Sequence, residues 1–165
     1  MKKLLQILKP AQIKDNIFSI DFFELKNQGI TSLIFDIDDT LMPRTEKNIS
    51  LKVSYLISTL KDKGFKICLT SNSRHPKRVE LIAKELDVPY IYLAMKPFPQ
   101  AFKKSLEILK STAAETAVIG DQLFMDILGG NLQKMHTIFI KEHTAETFLP
   151  RQIMRWVEDF ILPRL

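Results

Sequence analysis

The chain has 165 residues, of which 45% are hydrophobic and 26% are charged, with a net charge of +5. These values exclude a disordered chain and are typical of one globular domain. The single cysteine, Cys68, excludes an internal disulfide and favours a reducing compartment. Since no run reaches the ~18 apolar residues of a membrane span and residues 1–10 lack a signal-peptide core, we expect a cytoplasmic protein.

Apolar strands alternate with amphipathic helices along most of the chain. Strands are predicted at residues 30–35, 65–69, 90–93, 117–119 and 137–140, and helices at 49–61, 76–86, 99–109 and 123–128. Strands that are apolar throughout are covered on both faces, so the pattern predicts a doubly wound, Rossmann-like, three-layer α/β/α fold around a parallel five-stranded sheet. We expect one domain over residues 1–165, with its core at about 28–142.

Polar side chains follow four of the predicted strands. They are Asp36 and Asp38 after the first strand, Thr70, Ser71 and Asn72 after the second, Lys96 after the third and Asp121 after the fourth. The carboxyl ends of parallel strands meet at one edge of a sheet, which is where such folds bind ligands. We therefore expect these side chains to form one site.

The carboxylates at these strand ends favour phosphomonoester hydrolysis through an aspartyl-phosphate. Asp36 is the candidate nucleophile, and Asp38, two residues later on the same face of the strand, is the candidate general acid and base. Asp121 would complete a Mg²⁺ site with the carboxylate of Asp36 and a backbone carbonyl near Asp38. Asp39 points to the other face, and we expect it to make turn hydrogen bonds rather than bind metal.

The remaining strand ends supply candidate phosphate ligands. Lys96 would neutralise the nucleophile and the phosphate oxygens as a point charge. Thr70, with Ser71 and the backbone amides that follow, would bind the transferring phosphoryl group. Asn72 contacts the phosphate or caps the following helix, and the sequence leaves both roles open.

Four motifs resemble those of the haloacid-dehalogenase superfamily of phosphatases. They are DIDDTL, LTSNS, AMKP and GDQLFMD, in that order. The spacing and the run GDQLFMDILGGN resemble the small capless branch of subfamily IIIA, the YqeG-like proteins, which is related to mitochondrial phosphatidylglycerophosphate phosphatases. The resemblance extends over about residues 4–140.

The resemblance implies a role for each matching residue. Asp36 would be the nucleophile, Asp38 the acid and base, and Asp121 a metal ligand. Thr70 and Lys96 would bind phosphate. A sixth residue enters only through the resemblance: Asp126 would be an outer group that holds Lys96 or a metal-bound water. The fold would be capless, the cofactor Mg²⁺, and phosphatidylglycerophosphate the leading specific substrate.

Other function classes remain open. A phosphorylation-dependent receiver domain would place its phosphorylated Asp after a later strand, whereas here the third strand leads to Lys96. A non-catalytic protein that binds RNA or a GTPase could use the same fold, although no aromatic and basic pattern typical of nucleic-acid binding is present. Another phosphorylated metabolite, nucleotide or macromolecule could replace the lipid phosphate as substrate. The oligomeric state is not indicated.

Basic amphipathic segments flank the predicted core. Their apolar residues are Leu4, Leu5, Ile7 and Leu8 in the first segment, and Ile153, Trp156, Val157, Phe160 and Ile161 in the second. We expect the second stripe to pack against the domain. For the first, packing and peripheral contact with an anionic membrane both stay open, because a lipid phosphate substrate would make membrane contact useful.

Overall fold

A six-stranded parallel sheet forms the centre of the computed structural model, which describes residues 6–144 and 149–165. The strands are β1 (Gln12–Lys14), β2 (Ser32–Phe35), β3 (Lys66–Thr70), β4 (Tyr90–Ile91), β5 (Thr116–Gly120) and β6 (His136–Ile140). Their order across the sheet is β1-β6-β5-β2-β3-β4, and every pair is parallel. The prediction of a parallel sheet is confirmed, with one strand more than expected.

Helices connect the strands. They are α1 (Phe22–Asn27), α2 (Leu51–Asp62), α3 (Pro76–Leu86), α4 (Pro99–Leu109), α5 (Leu128–Leu132) and α6 (Leu149–Ile161), with a π-helical turn at Leu123–Ile127. The predicted bounds of α3 and α4 agree with the structure, because each begins with a proline at its first position and ends at a left-handed residue. None of the described helices combines the length and apolarity that a bilayer span requires.

The structure differs from the prediction at three elements. The unexpected strand, β1, has a single apolar residue and is a strand because it pairs with β6. It contains no apolar run from which it could be predicted. The strand β4 is two residues long. Gly129 does not end the helix predicted at 123–128, since α5 runs through it. The glycine instead permits close packing, because a side chain there would collide with the ring of Phe102 on α4.

The core lies on both faces of the sheet, as a doubly wound fold requires. Leu33 and Phe35 of β2 face one way and join a cluster with Ile57 of α2. Ile34, between them, faces the other way and packs in a cluster with Phe102 of α4. The period of two along β2 thus supplies both layers, and the predicted three-layer arrangement is confirmed.

The sheet has a switch point between β2 and β5. The chain passes from β2 to β3 and β4 on one side, and then returns to β5 and β6 on the other. Ligands of doubly wound proteins bind at such crevices, beyond the carboxyl ends of the strands. Asp36 directly follows β2 and Asp121 directly follows β5. Only the 15 residues 36–50 separate β2 from α2, and five separate β3 from α3, so no cap domain is inserted at either point.

The two flanking segments differ from each other. In the first, Leu4 and Leu5 lie outside the described residues, Leu8 is buried, and Ile7 is partly exposed. In the second, α6 leaves most of its apolar stripe in solvent: Ile153, Trp156 and Phe160 are 57%, 70% and 54% exposed. The prediction that this stripe packs against the domain is therefore wrong for these three residues. Polar side chains of α6 face the domain instead.

Candidate active site

Lys96 lies between two buried carboxylates at the end of the sheet. Its Nζ donates to Asp36 Oδ1 at 2.6 Å and to Asp126 Oδ1 at 2.5 Å. All three side chains are nearly inaccessible to solvent. Among the described residues, Asp36 Oδ2 is buried and has no hydrogen-bond partner. One oxygen of the candidate nucleophile is thus held by a cation, and the other is available to a reacting group or a metal.

Burial controls the protonation of this cluster. Burial, with further contributions from the charges of Asp126 and Asp38, outweighs the opposing effect of Lys96 and raises the pKa of Asp36 from 3.8 to about 7. Burial alone would lower the pKa of Lys96, but the facing Asp126 and Asp36 carboxylates raise it above its usual value. Lys96 is therefore a permanent cation, and Asp36 is the group whose charge depends on what binds.

Two residues hold Lys96 and Asp126 in position. The side-chain amide of Asn72 accepts from the Lys96 backbone N–H at 2.8 Å and donates to the Lys96 carbonyl at 3.2 Å. Asn72 thus supports Lys96 from the neighbouring strand end. Asp126 packs over the last residue of β5, where a Cβ in place of Gly120 would collide with the Asp126 carboxyl group. The glycine of the GDQLFMD run is required for this close approach.

The second strand end brings Ser71, and not Thr70, to the cleft. Thr70 is fully buried and its hydroxyl forms a 2.9 Å hydrogen bond with the hydroxyl of Ser105 on α4. It shares a strand face with Cys68, which lies in the core on the same side. Ser71, on the opposite face, lines the cleft beside Asp36 and Asp38. The Thr70 hydroxyl, which we expected to bind the phosphoryl group, thus faces α4 and not the cleft, because side chains alternate between the two faces of a strand.

The cleft above these residues has a volume of about 550 Å³ and is rich in arginine. Its charged lining consists of Asp36, Asp38, Arg44, Arg74, Arg78, His75 and Arg151. Arg78 Nη1 lies 2.7 Å from Asp38 Oδ1, and its side chain is 21% exposed. The sequence position of Arg78 indicates only that it follows the strand end, and not that it points back over Asp38.

Asp39 has the role in the turn that its sequence position predicts. Its φ of 63° is in the left-handed region that Asp tolerates better than most residues. One carboxylate oxygen accepts from the Arg44 backbone N–H at 3.2 Å and from the Thr144 hydroxyl at 2.6 Å. Burial alone would raise its pKa, but these donors and the Arg44 charge outweigh it and lower the pKa of Asp39. Asp39 joins the loop after β2 to the segment after β6.

Asp121 is held by a helix that sequence reasoning did not connect to the site. The Arg155 guanidinium of α6 donates to both the carboxylate and the backbone carbonyl of Asp121. Arg155 also contacts Glu158 at 3.3 Å, and Glu158 is 1% exposed. Burial, reinforced by Asp36 and partly offset by Arg155, raises the pKa of Asp121 well above its ordinary value. The amphipathic pattern of α6 is the one signal that could have found this contact, and it suggested the opposite face.

The donor set fits a divalent cation. No group of three or more His, Cys, Asp or Glu side chains converges on one point within the part of the chain that the structure describes. Mg²⁺, however, needs only one or two protein carboxylates and takes its other ligands from substrate phosphate and water. Asp36 is close enough to Asp121 that its charge raises the pKa of the Asp121 carboxyl group. With the unpartnered Asp36 oxygen, they could hold the ion together with backbone oxygen from the loop after β2.

Two of the solved structures with a similar fold are named as phosphatases. The chain has a TM-score of 0.57 to a 3-deoxy-D-manno-octulosonate 8-phosphate phosphatase from Yersinia pestis, which is 19% identical, over 90% of each chain. It has a TM-score of 0.56 to the cobalt-bound deoxy-D-mannose-octulosonate 8-phosphate phosphatase of Haemophilus influenzae, which is 17% identical, over 84% of this chain and 90% of the other. At these identities the likeness concerns the fold.

Sequence comparisons go further than the fold. The chain is 32% identical over 156 residues to the Bacillus subtilis protein named "Probable phosphatase YqeG", covering 94% of this chain and 90% of that protein. Residues 44–132, more than half of the chain, match the model of the haloacid dehalogenase-like hydrolases. That match begins after Asp36 and Asp38, so their place in the site comes from the strand-end geometry. With this geometry, this relative and this match, the chain belongs to the haloacid dehalogenase-like hydrolase family.

Proposed function

We propose that the protein is a Mg²⁺-dependent phosphomonoesterase that acts through an aspartyl-phosphate on Asp36. The observation that carries this proposal is the state of the Asp36 carboxylate, with Oδ1 held by Lys96 at 2.6 Å and Oδ2 buried without a partner. A nucleophile needs such a free, oriented oxygen. The name of the YqeG relative supports the same reaction class.

The proposed reaction has two steps. Asp36 Oδ2 attacks phosphorus, the bond from phosphorus to the ester oxygen breaks, and Asp38 gives its proton to the leaving oxygen. Water then attacks the phosphorus of the aspartyl-phosphate, Asp38 takes the proton from the water, and inorganic phosphate leaves while Asp36 is restored. Arg78, at 2.7 Å from Asp38, orients this carboxyl group above the nucleophile.

The surrounding groups bind the phosphoryl oxygens. Lys96 compensates the charge of Asp36 as the phosphate approaches, and residues 71–73 line the cleft where the phosphoryl group would lie. The Ser71 hydroxyl accepts from the Ser73 backbone N–H at 3.1 Å, which leaves its own proton for a phosphoryl oxygen. When bound, Mg²⁺ would offset the repulsion between the phosphoryl group and Asp36. Asp36, Asp121 and backbone oxygen of the loop after β2 are the groups that would hold it.

The specific substrate that we propose is phosphatidylglycerophosphate, which the sequence resemblance suggests. A cleft of about 550 Å³ that no cap covers can accept a phosphate group carried by a large substrate or a membrane surface. The arginine residues that line the cleft favour an anionic substrate. We accordingly propose a cytoplasmic protein with peripheral membrane contact. Phosphate release from phosphatidylglycerophosphate in vesicles, compared with soluble sugar and nucleotide phosphates, tests the choice; equal or faster release from a soluble ester would overturn it.

The reaction class is tested with a generic aryl phosphate and the variant Asp36→Asn. Wild-type protein should release phosphate with Mg²⁺ and lose this activity in EDTA, while Asp36→Asn should lose at least about 10³-fold, because the nucleophile is gone. Asp159→Asn, an exposed carboxylate on α6, is the matched control and should keep wild-type activity. Circular dichroism verifies that both variants fold. Comparable activity in the two variants would exclude Asp36 as nucleophile.

A further inference from the structure

The two carboxylate oxygens of Asp121 have different neighbours. Oδ2 accepts from the guanidinium of Arg155 on α6. Oδ1 faces the loop after β2, where the Thr40 hydroxyl is 3.4 Å away. Arg155 also donates to the backbone carbonyl of Asp121, so it holds the residue by hydrogen bonds to two groups. This pairing fixes the rotation of the carboxyl group and leaves Oδ1 directed toward the loop after β2, which begins with Asp36.

Arg155 is itself fixed by a buried partner. Glu158, one helical turn later, contacts Arg155 at 3.3 Å and is 1% exposed. Its other oxygen accepts from the backbone N–H groups of Leu123 at 2.7 Å and Phe124 at 3.3 Å. The polar face of α6 thus binds the chain on both sides of Gln122, over the turn that carries the candidate metal ligand. A buried carboxylate and guanidinium with this many hydrogen bonds form a rigid support.

The apolar face of α6 does not explain the position of the helix. Ile153, Trp156 and Phe160 point into solvent, and only its last turn, through Ile161, packs against the apolar cluster that contains Leu123. Among the contacts of α6 that the structure describes, the buried ones of Arg155 and Glu158 orient the helix about its axis. A helix held mainly by its charged residues next to a reacting centre is unusual for a purely structural element, since buried ion pairs contribute little net stability.

We propose that Arg155 is a positioning residue of the active site, which orients the Asp121 carboxylate toward the Mg²⁺ site and makes α6 part of the catalytic machinery. The inference rests on the proposed function, because it assigns Asp121 to the metal. Arg155 is not among the residues that line the cleft beside Asp36 and Asp38, so it would act through Asp121. Groups that orient metal ligands in this way typically change metal affinity or activity by about 10–100-fold when they are removed.

The test compares Arg155→Gln, Arg155→Lys and the control Arg164→Gln, which removes an exposed guanidinium from the same end of the chain. Mg²⁺ binding without substrate is measured by titration calorimetry, and the Mg²⁺ dependence of aryl phosphate hydrolysis is measured separately. Arg155→Gln should weaken Mg²⁺ binding by about 10–100-fold and raise the half-saturating Mg²⁺ concentration, with a smaller change in the KM for the ester. Arg155→Lys should recover part of the Mg²⁺ affinity, because lysine restores the charge but cannot donate to the carboxylate and the carbonyl of Asp121 in the same geometry.

Three results would overturn the inference. They are unchanged Mg²⁺ affinity in Arg155→Gln, an equal loss in Arg164→Gln, and tighter Mg²⁺ binding in Arg155→Gln, which would make Arg155 a competitor of the metal. Circular dichroism and the conservative Lys variant separate loss of fold from loss of positioning. If wild-type protein itself binds no Mg²⁺ and releases no phosphate, the proposed function fails as well; if wild type does both and Arg155→Gln behaves as Arg164→Gln, only this inference fails.

Discussion

Two buried charge clusters meet at the carboxyl edge of the sheet, and each has one cation between two carboxylates. The lysine cluster is Lys96 with Asp36 and Asp126, and the arginine cluster is Arg155 with Asp121 and Glu158. They differ in what positions them. In the lysine cluster, Asp36 and Lys96 lie in loops that follow strands, and Asp126 lies on the π-helical turn after β5. In the arginine cluster, two of the three members come from α6.

This difference separates two ways of building a site. The lysine cluster is a consequence of the parallel sheet, because strands in register bring their ends together whatever covers them. The arginine cluster depends on a helix whose own apolar face is exposed, so it forms only if the charged contacts themselves form. We therefore expect damage to the lysine cluster to affect the whole fold, and damage to the arginine cluster to affect α6 and Asp121 more locally.

The largest expected effect is that of Lys96→Met. It leaves two carboxylates buried without their cation, and we expect a loss of about 3–5 kcal/mol in the free energy of unfolding. Urea denaturation in EDTA measures it, with Lys103→Met, an exposed lysine on α4, as the control. A loss in Lys96→Met no larger than in the control would show that the lysine cluster does not support the fold. Phosphatase activity should also disappear.

The next effect concerns the pH dependence of stability in the metal-free protein. Since the pKa of Asp36 is raised from 3.8 to about 7 on folding, the folded state binds more protons between these values. Stability from Asp36 is then present near pH 4 and lost as pH rises to about 7. An asparagine at position 36 does not titrate, so the free energy of unfolding of Asp36→Asn should not fall in this way. Between pH 4 and pH 7.5 the variant should therefore become more stable relative to wild type by roughly 2–4 kcal/mol.

Thermal or urea unfolding of both proteins in EDTA, at several pH values, measures this gap, which is the difference in the free energy of unfolding between Asp36→Asn and wild type. Added Mg²⁺ should close it, because the ion favours the ionised Asp36 carboxylate. A gap that is constant with pH, or that grows as pH falls, would show that burial does not control Asp36.

A smaller effect is expected for Glu158→Gln in the arginine cluster. The amide keeps the shape and one acceptor but removes the charge that faces Arg155. We therefore expect the free energy of unfolding to fall by about 1–3 kcal/mol. Hydrogen exchange should increase in α6 and around Leu123 while β2 and β3 keep their protection. Glu107→Gln, on the exposed side of α4, is the matched control. Increased exchange throughout the sheet would remove the distinction between the two clusters.

The smallest effect is expected for Trp156→Ser on the apolar face of α6. Trp156 is 70% exposed, so its loss should change the free energy of unfolding by less than about 0.5 kcal/mol. Ile127→Ala, at a fully buried position below α6, should cost about 2–5 kcal/mol by comparison. Urea denaturation distinguishes them. A large loss for Trp156→Ser would mean that the apolar face, and not the charged one, holds the helix.

Much of the fold and half of the site follow from local pattern. The apolar runs predict β2, β3, β5 and β6 because a strand buried on both faces must be apolar throughout. The short strand β1 has no such run and exists only through its pairing with β6. The resemblance implies that Asp126 holds either Lys96 or a metal-bound water, and the structure places its Oδ1 2.5 Å from Lys96 Nζ.

By itself, the sequence determined the chemistry of this protein: a parallel sheet whose strand ends carry three carboxylates and a lysine. Only the tertiary structure decided which side chains face the cleft and what supports them. It turned Thr70 to the core and Ser71 to the cleft, a distinction of one residue in register. It also brought Arg155 to Asp121, because a contact between residues 34 positions apart depends on how a helix docks and not on any period along the chain.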